Sequence, residues 1–108
     1  MDEGVQRRIA ANEALFREVN EAIERGVWPG EEDAVAAFRC ECASLDCNQL
    51  VSITPREYER IRTHPRRFLV LPGHQLEGVD TVVSATDGYL VIEKRDEAGR
   101  LADASDPR

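Results

Sequence analysis

All three cysteines of the chain fall within eight consecutive positions, inside the stretch FRCECASLDC at residues 38–47. Their spacing, C-x-C-x4-C at Cys40, Cys42 and Cys47, constrains the fold more than any other feature of the sequence. In an extended strand residues i and i+2 point to one face, so Cys40 and Cys42 present their sulfurs together. The four residues that follow make a loop short enough to return Cys47 toward them. Three convergent thiolates repel one another unless a cation neutralises them, and Zn²⁺ in a tetrahedral site does so. Without a metal the three would be small buried apolar side chains, a reading that their crowding opposes.

Three cysteines leave one vertex open, and two histidines are candidates for it. His74 stands in Leu71-Pro72-Gly73-His74, a turn after a strand expected to pair near the cluster. His64 lies at a helix end before Pro65, where interaction with the helix carbonyls is its ordinary role. Asp46, Glu41 or a water are further candidates. The reading taken is a Cys3His site of Cys40, Cys42, Cys47 and His74 holding one Zn²⁺ per chain, since mixed thiolate and imidazole in a closed tetrahedron suits zinc. Iron or an iron–sulfur cluster is the alternative. A Cys3His set occurs in CDGSH-type iron–sulfur proteins, but here the third cysteine follows too soon and His74 lies too far beyond it.

The remaining sequence predicts an α+β fold. It comprises an N-terminal amphipathic helix packed on a small, mainly antiparallel sheet, one short internal helix and the zinc-knuckle-like Cys3His site. Residues 6–25 carry Ile9, Phe16, Val19 and Ile23 at helical spacing, with Leu15 and Ala22 widening the stripe. Positions 9, 12, 16, 19 and 23 also fit a heptad with Asn12 in its core, so a homodimer or a protein partner through this helix is the second option. AVAAFRCEC (34–42) and LVSI (50–53) read as strands. Thr54-Pro55-Arg56-Glu57 reads as a capped helix start, with the helix ending near Thr63 or His64. FLVL (68–71) reads as a buried strand, and TVVSA and YLVIEK flank the hairpin signal Thr86-Asp87-Gly88. The expected organisation is an N-terminal helix and connection at 1–29, a zinc-stabilised unit at 30–95 and a mobile polar tail at 96–108.

At 108 residues and 42% apolar composition the core is modest, and a metal would help it. A net charge of −7 excludes a general electrostatic grip on nucleic acid. Residues 54–68 depart from that balance, with five arginines against two glutamates, and read first as a solvated face and second as a basic docking patch. No apolar run is long enough to span a membrane, and the acidic MDEGVQRR start lacks a secretory pattern, so a cytoplasmic location is expected. No Gly-rich phosphate loop, G-x-S-x-G or H-E-x-x-H motif is present. The function classes that remain are a zinc-stabilised binding or regulatory module, a thiol-based redox or metal sensor, and a zinc-dependent hydrolase with Glu41 or His64 as base. The module is the reading taken, with no enzymatic activity.

Phe38-Arg39-Cys40-Glu41-Cys42-Ala43, Cys47, Glu57-Tyr58-Glu59, Arg62, Pro65, Arg67-Phe68, Pro72-Gly73-His74 and Tyr89-Leu90-Val91-Ile92-Glu93-Lys94 together resemble a group of short uncharacterised actinobacterial proteins. The likeness runs from the first helix to Glu93-Lys94. It implies a bacterial cytosolic origin and a pairing of the cluster with His74, and it implies no activity. Locally, C-x-C-x4-C also resembles the post-SET zinc segment of lysine methyltransferases, which implies zinc geometry alone.

Overall fold

The computed structural model describes residues 3–108, so residues 1 and 2 of the expected 1–29 unit lie outside it. In chain order the elements are α1 (Glu3–Arg25), β1 (Ala36–Arg39), β2 (Leu50–Ile53), α2 (Pro55–Arg62), β3 (Arg67–Val70), β4 (Asp80–Ala85), β5 (Leu90–Lys94) and α3 (Asp96–Ala104). The α+β class is the expected one. The strands form two antiparallel sheets rather than one, a β1-β2 pair and a three-stranded sheet of order β3-β5-β4. Between them they hold one core, built on Phe38, Val51, Ile53, Tyr58, Phe68, Leu69 and Ile92, with the Phe38 and Tyr58 rings stacked at 4.6 Å.

The first strand is shorter than its sequence suggests, because residues 40–42 change partners. The Cys40 amide still donates to Gln49 O beyond β2, whereas the Glu41 amide donates to Leu69 O in β3 at 2.7 Å. This extended strap stitches the two sheets together. The α2 start is the expected one: Thr54 Oγ1 accepts from the Glu57 amide at 3.1 Å, with Pro55 in the first turn. The Glu57 carboxylate accepts from the Tyr89 hydroxyl at 2.8 Å, which fastens α2 to the start of β5.

Two expectations need correction. The face that α1 buries is only part of its apolar stripe: Phe16 turns inward and Ile23 packs on the core, but Glu13, Arg17, Asn20 and Glu21 turn inward with them, while Leu15 and Val19 are 49% and 36% exposed. The polar face is stable because each group meets a partner, as burial demands. Glu13 pairs with Lys94 at 2.5 Å, and Lys94 also pairs with Asp80. Arg17 donates to the carbonyls of Pro65 and Ala102 at 2.6 and 2.8 Å, with its guanidinium over the Phe68 ring. Glu21 pairs with Arg62 at 2.5 Å. Asn12, a heptad-core position on the coiled-coil reading, donates to Ala43 O at 2.8 Å within the chain.

The second correction concerns the expected mobile tail at 96–108, most of which is α3, packed on α1 and β5. Ala102 is buried under Arg17, Asp103 pairs with Arg66 at 2.8 Å, and Asp106 pairs with the buried Arg62. Small residues let this helix approach closely; a Cβ at Gly99 would stand 2.5 Å from Arg66 Nη1. Among the described residues no helix is long and apolar enough to cross a membrane.

Candidate metal centre

Cys40, Cys42, Cys47 and His74 come together, with one ligand atom from each lying within 4.8 Å of all the others. His74 Nδ1 is 3.5 Å from Cys40 Sγ and 3.7 Å from Cys47 Sγ. These lengths can be compared with the edges of a coordination tetrahedron. With Zn–S near 2.3 Å and Zn–N near 2.0–2.1 Å, tetrahedral angles place sulfur and nitrogen about 3.5–3.6 Å apart. The spacing therefore fits four ligands around one small cation, and soft thiolates with an imidazole are the donor set of such a site.

Each ligand is placed by local backbone chemistry. Cys40 and Cys42 lie on one side of the 40–42 strap, with Glu41 on the other, as the alternation of an extended chain requires. The loop to Cys47 closes by a turn, the Cys47 amide donating to Ser44 O at 3.1 Å. Arg39 holds that loop: its Nη2 donates to Cys47 O at 2.8 Å while its guanidinium lies 4.6 Å from the Phe16 ring centroid. His74 is delivered by a turn in which its amide donates to Leu71 O at 3.0 Å. Gly73 takes φ +90° there, a conformation natural to glycine. The Leu71 amide also donates to Cys40 Sγ at 3.3 Å, the kind of outer contact that orients a thiolate ligand.

Burial pushes the Cys40 thiol up to about 12, against the pull of the Leu71 amide, and burial likewise raises Cys42. Thiolates at these positions therefore require a cation to compensate them. A metal would supply that charge and invert the local preference.

The other fourth-ligand candidates are elsewhere. His64 is exposed at the end of α2, its amide donating to Ile61 O, and Asp46 is an exposed loop residue. Glu41 is fully buried, facing away from the sulfurs. Its Oε2 accepts from the Tyr58 hydroxyl at 2.6 Å and Asn20 Nδ2 at 2.9 Å, and its Oε1 accepts from the Leu69 amide at 2.8 Å. Asn20 is fixed in turn, its Oδ1 accepting from the Arg39 amide at 2.7 Å and its Nδ2 donating to Arg39 O at 2.8 Å. Sequence reasoning missed this knot of Asn20, Glu41 and Tyr58; its one signal was a glutamate set between two cysteines of an expected strand.

The arginine-rich segment is mostly spent inside the molecule. Arg56 pairs with Asp33 at 2.7 Å, Arg62 is buried on Glu21 and Asp106, Arg66 pairs with Asp103, and Arg67 pairs with Glu93 at 3.1 Å. The Arg60 side chain alone of the five forms no hydrogen bond or ion pair among the described residues.

No family model, curated protein or solved structure matches the chain.

Proposed function

We propose that the protein is a small binding or regulatory module whose fold is stapled by one structural Zn²⁺ on Cys40, Cys42, Cys47 and His74. The observation that carries this reading is the pair of sulfur–nitrogen distances, 3.5 and 3.7 Å, close to the edges of a zinc tetrahedron. Four protein ligands leave no vertex for substrate, which is the mark of a structural rather than a catalytic site. The metal would join segments that the chain alone links loosely: the end of β1, the loop to β2, and the turn after β3. For a core this small, such a staple contributes directly to folding.

Native mass spectrometry with metal analysis tests the proposal. One zinc per chain is expected in the wild type, with weakened retention in His74→Ala. Absorption near 400 nm with bound iron would replace zinc by an iron–sulfur assignment, and full retention in His74→Ala would remove that residue from the site.

A second reading, release of zinc on oxidation, draws on the partial exposure of Cys47 beside two buried thiols. Hydrogen peroxide would take two electrons from two zinc-bound thiolates, forming a disulfide, while the peroxide and two protons become two waters and zinc leaves. Zinc release at low peroxide, reversed by added thiol, supports this reading; inertness under the same treatment refutes it.

A further inference from the structure

The outer face of α1 carries a second heptad series. Gly4, Arg8, Ala11, Leu15, Glu18 and Ala22 are all exposed, and with 3.6 residues per turn they fall within an arc of about 80°. Their spacing alternates four residues and three, the repeat of a coiled-coil seam. It is not the series of Ile9, Asn12, Phe16, Val19 and Ile23, of which Phe16 is buried and Asn12 is bonded within the chain. The outer seam lies beside that series around the helix. Leu15, 49% exposed, stands in its middle, and Val19, 36% exposed, stands on its border.

On its other side the seam meets α3. Ala10, Ala11 and Ala14 of α1 face Leu101 and Ala104 of α3 across an open groove of about 260 Å³ that Arg7 also lines. Ala11 belongs to both seam and groove, so the groove runs along the seam. The charges of this face are not spent within the chain. The side chains of Arg8 and Glu18 form no ion pair or hydrogen bond among the described residues. Arg7 pairs only with the exposed Glu3, at 3.7 Å. One bulky apolar side chain, one shallow apolar groove and two unpaired opposite charges thus share a single face.

We propose that a second copy of the chain covers this face, with the two α1 helices packed antiparallel about a two-fold axis. The inference rests on the binding-module reading, whose partner it names. In an antiparallel pair the a positions of one heptad series face the d positions of the other, which leaves few registers. One of them sets each Leu15 against Ala11 of the other copy, at the lip of its groove, a large side chain against a small one. The same register sets each Arg8 against Glu18 and each Ala22 against Gly4, and lays the stem of Arg7 along Val19. The two-fold axis makes every one of these contacts occur twice. The next register brings Arg8 against Arg25 and Leu15 against Glu18. A parallel pair sets Arg8 against Arg8 and Glu18 against Glu18. Charge complementarity therefore selects one arrangement. From Gly4 to Ala22 the seam is about 27 Å long. With α3 beside part of it, each copy contributes roughly 500 Å², roughly 1,000 Å² in all, the low end for a specific interface. The dimer is accordingly reversible, with a Kd in the micromolar range.

Sedimentation equilibrium of the full chain, with zinc content measured on the same samples, tests the proposal. A monomer–dimer equilibrium with a Kd of about 1–100 μM is expected. Leu15→Glu, at an exposed site, should weaken it about tenfold or more with unchanged circular dichroism. Arg8→Glu and Glu18→Arg should each weaken it about tenfold, since each places like charges opposite one another twice. Mixed in equal amounts, these two variants regain both ion pairs and should form a heterodimer of wild-type affinity. A wild type still monomeric at about 1 mM would overturn the proposal. So would a dimer indifferent to Leu15→Glu, a mixture of the two charge variants that stays monomeric, or a dimer abolished by Val83→Glu in β4. Zinc bound to a chain that stays monomeric refutes this inference alone, and the expected dimer without zinc refutes the metal reading alone.

Discussion

Replacing Glu41 by glutamine changes one atom of a side chain that has no solvent exposure. Three donors converge on the carboxylate: the Tyr58 hydroxyl and Asn20 Nδ2 on Oε2, and the Leu69 amide on Oε1. Glutamine keeps one acceptor oxygen and turns the other position into a donor. If its oxygen serves Leu69, its amide faces Tyr58 and Asn20. Tyr58 can rotate its hydroxyl to accept, but Asn20 cannot flip, because both ends of its amide are committed to the backbone of Arg39 at 2.7 and 2.8 Å. One buried N–H therefore stays opposed to another, and two charge-assisted hydrogen bonds are lost.

Hydrogen bonds to charged groups contribute about 1.5–3 kcal/mol each, and a stranded buried donor costs about 1–3 kcal/mol. Against this, the carboxylate no longer has to be kept charged away from water, a burden evident in the way burial pushes Glu41 upward. The net expectation is a loss of about 2–4 kcal/mol, read from denaturant unfolding of the zinc-loaded protein with an unchanged dependence on denaturant. Tyr58→Phe is the internal comparison. It deletes a single donor and leaves the ring stacked on Phe38, so its loss should be smaller, about 1–2 kcal/mol. Because Glu41 sits between two ligand cysteines, Glu41→Gln should also weaken zinc retention roughly 10- to 100-fold in competition with a chelator. A Glu41→Gln protein within about 0.5 kcal/mol of wild type would refute the reasoning. Residue 41 would then act as a neutral group, with no charged knot at that place.

Gly73→Ala places a side chain at φ +90° where no atom lies within 4 Å, so its cost is one of backbone conformation, roughly 1–2 kcal/mol, with faster zinc loss to a chelator as the turn shifts His74. Glu13 is raised to about 7, chiefly by burial and with help from the Asp80 and Glu41 carboxylates, against the pull of Lys94. The stability tied to its proton is complete below its ordinary value near 4.5 and is lost as pH rises through about 7, on the order of 3 kcal/mol. Glu13→Gln should lack this loss, and since the substitution leaves the cysteine–histidine cluster untouched, the difference between the two pH–stability curves isolates it; parallel curves would refute the assignment. Gly99→Ala must displace the Arg66 side chain and break its pair with Asp103, but that pair is about 40% exposed, so the melting midpoint should move by no more than about 1 kcal/mol's worth.

What could be read from the sequence was local. The Thr54-Pro55 helix start, the hairpin at Thr86-Asp87-Gly88 and the grouping of Cys40, Cys42 and Cys47 depend on spacing over a few residues, and the structure has all three. Placing His74 beside them required a guess about strand pairing, since 27 residues separate it from Cys47. Hydrophobic periodicity put Phe16 and Ile23 on the inner side of α1 but missed the buried polar groups beside them, because it cannot register pairing. Arg17 looks solvent-facing until the carbonyls of Pro65 and Ala102, 48 and 85 residues away, are brought to it. The same blindness hid α3, whose Ala98, Leu101 and Ala102 are correctly spaced for a helix but carry too little apolar bulk to stand out. Residues 54–68 read as a basic patch only while their acidic partners, spread from Glu21 to Asp106, remain invisible.

The strap of residues 40–42 explains why a core of this size suffices. Alternation along three extended residues sends two thiols to one side and one carboxylate to the other. The thiol side brings together the end of β1, the loop to β2 and the turn after β3, whose four sulfur and nitrogen atoms could hold one cation. The carboxylate side joins α1, α2 and β3 through Asn20, Tyr58 and the Leu69 amide. Both sets of groups stand on the same short backbone segment, whose own amides divide between Gln49 just before β2 and Leu69 in β3. A metal held by the thiol side would therefore be coupled to the docking of α1 through residues 40–42. That coupling gives the polar inner face of α1 its purpose. An apolar stripe would bury area against the sheet in many registers, whereas the amide of Asn20, satisfied at three points, admits one.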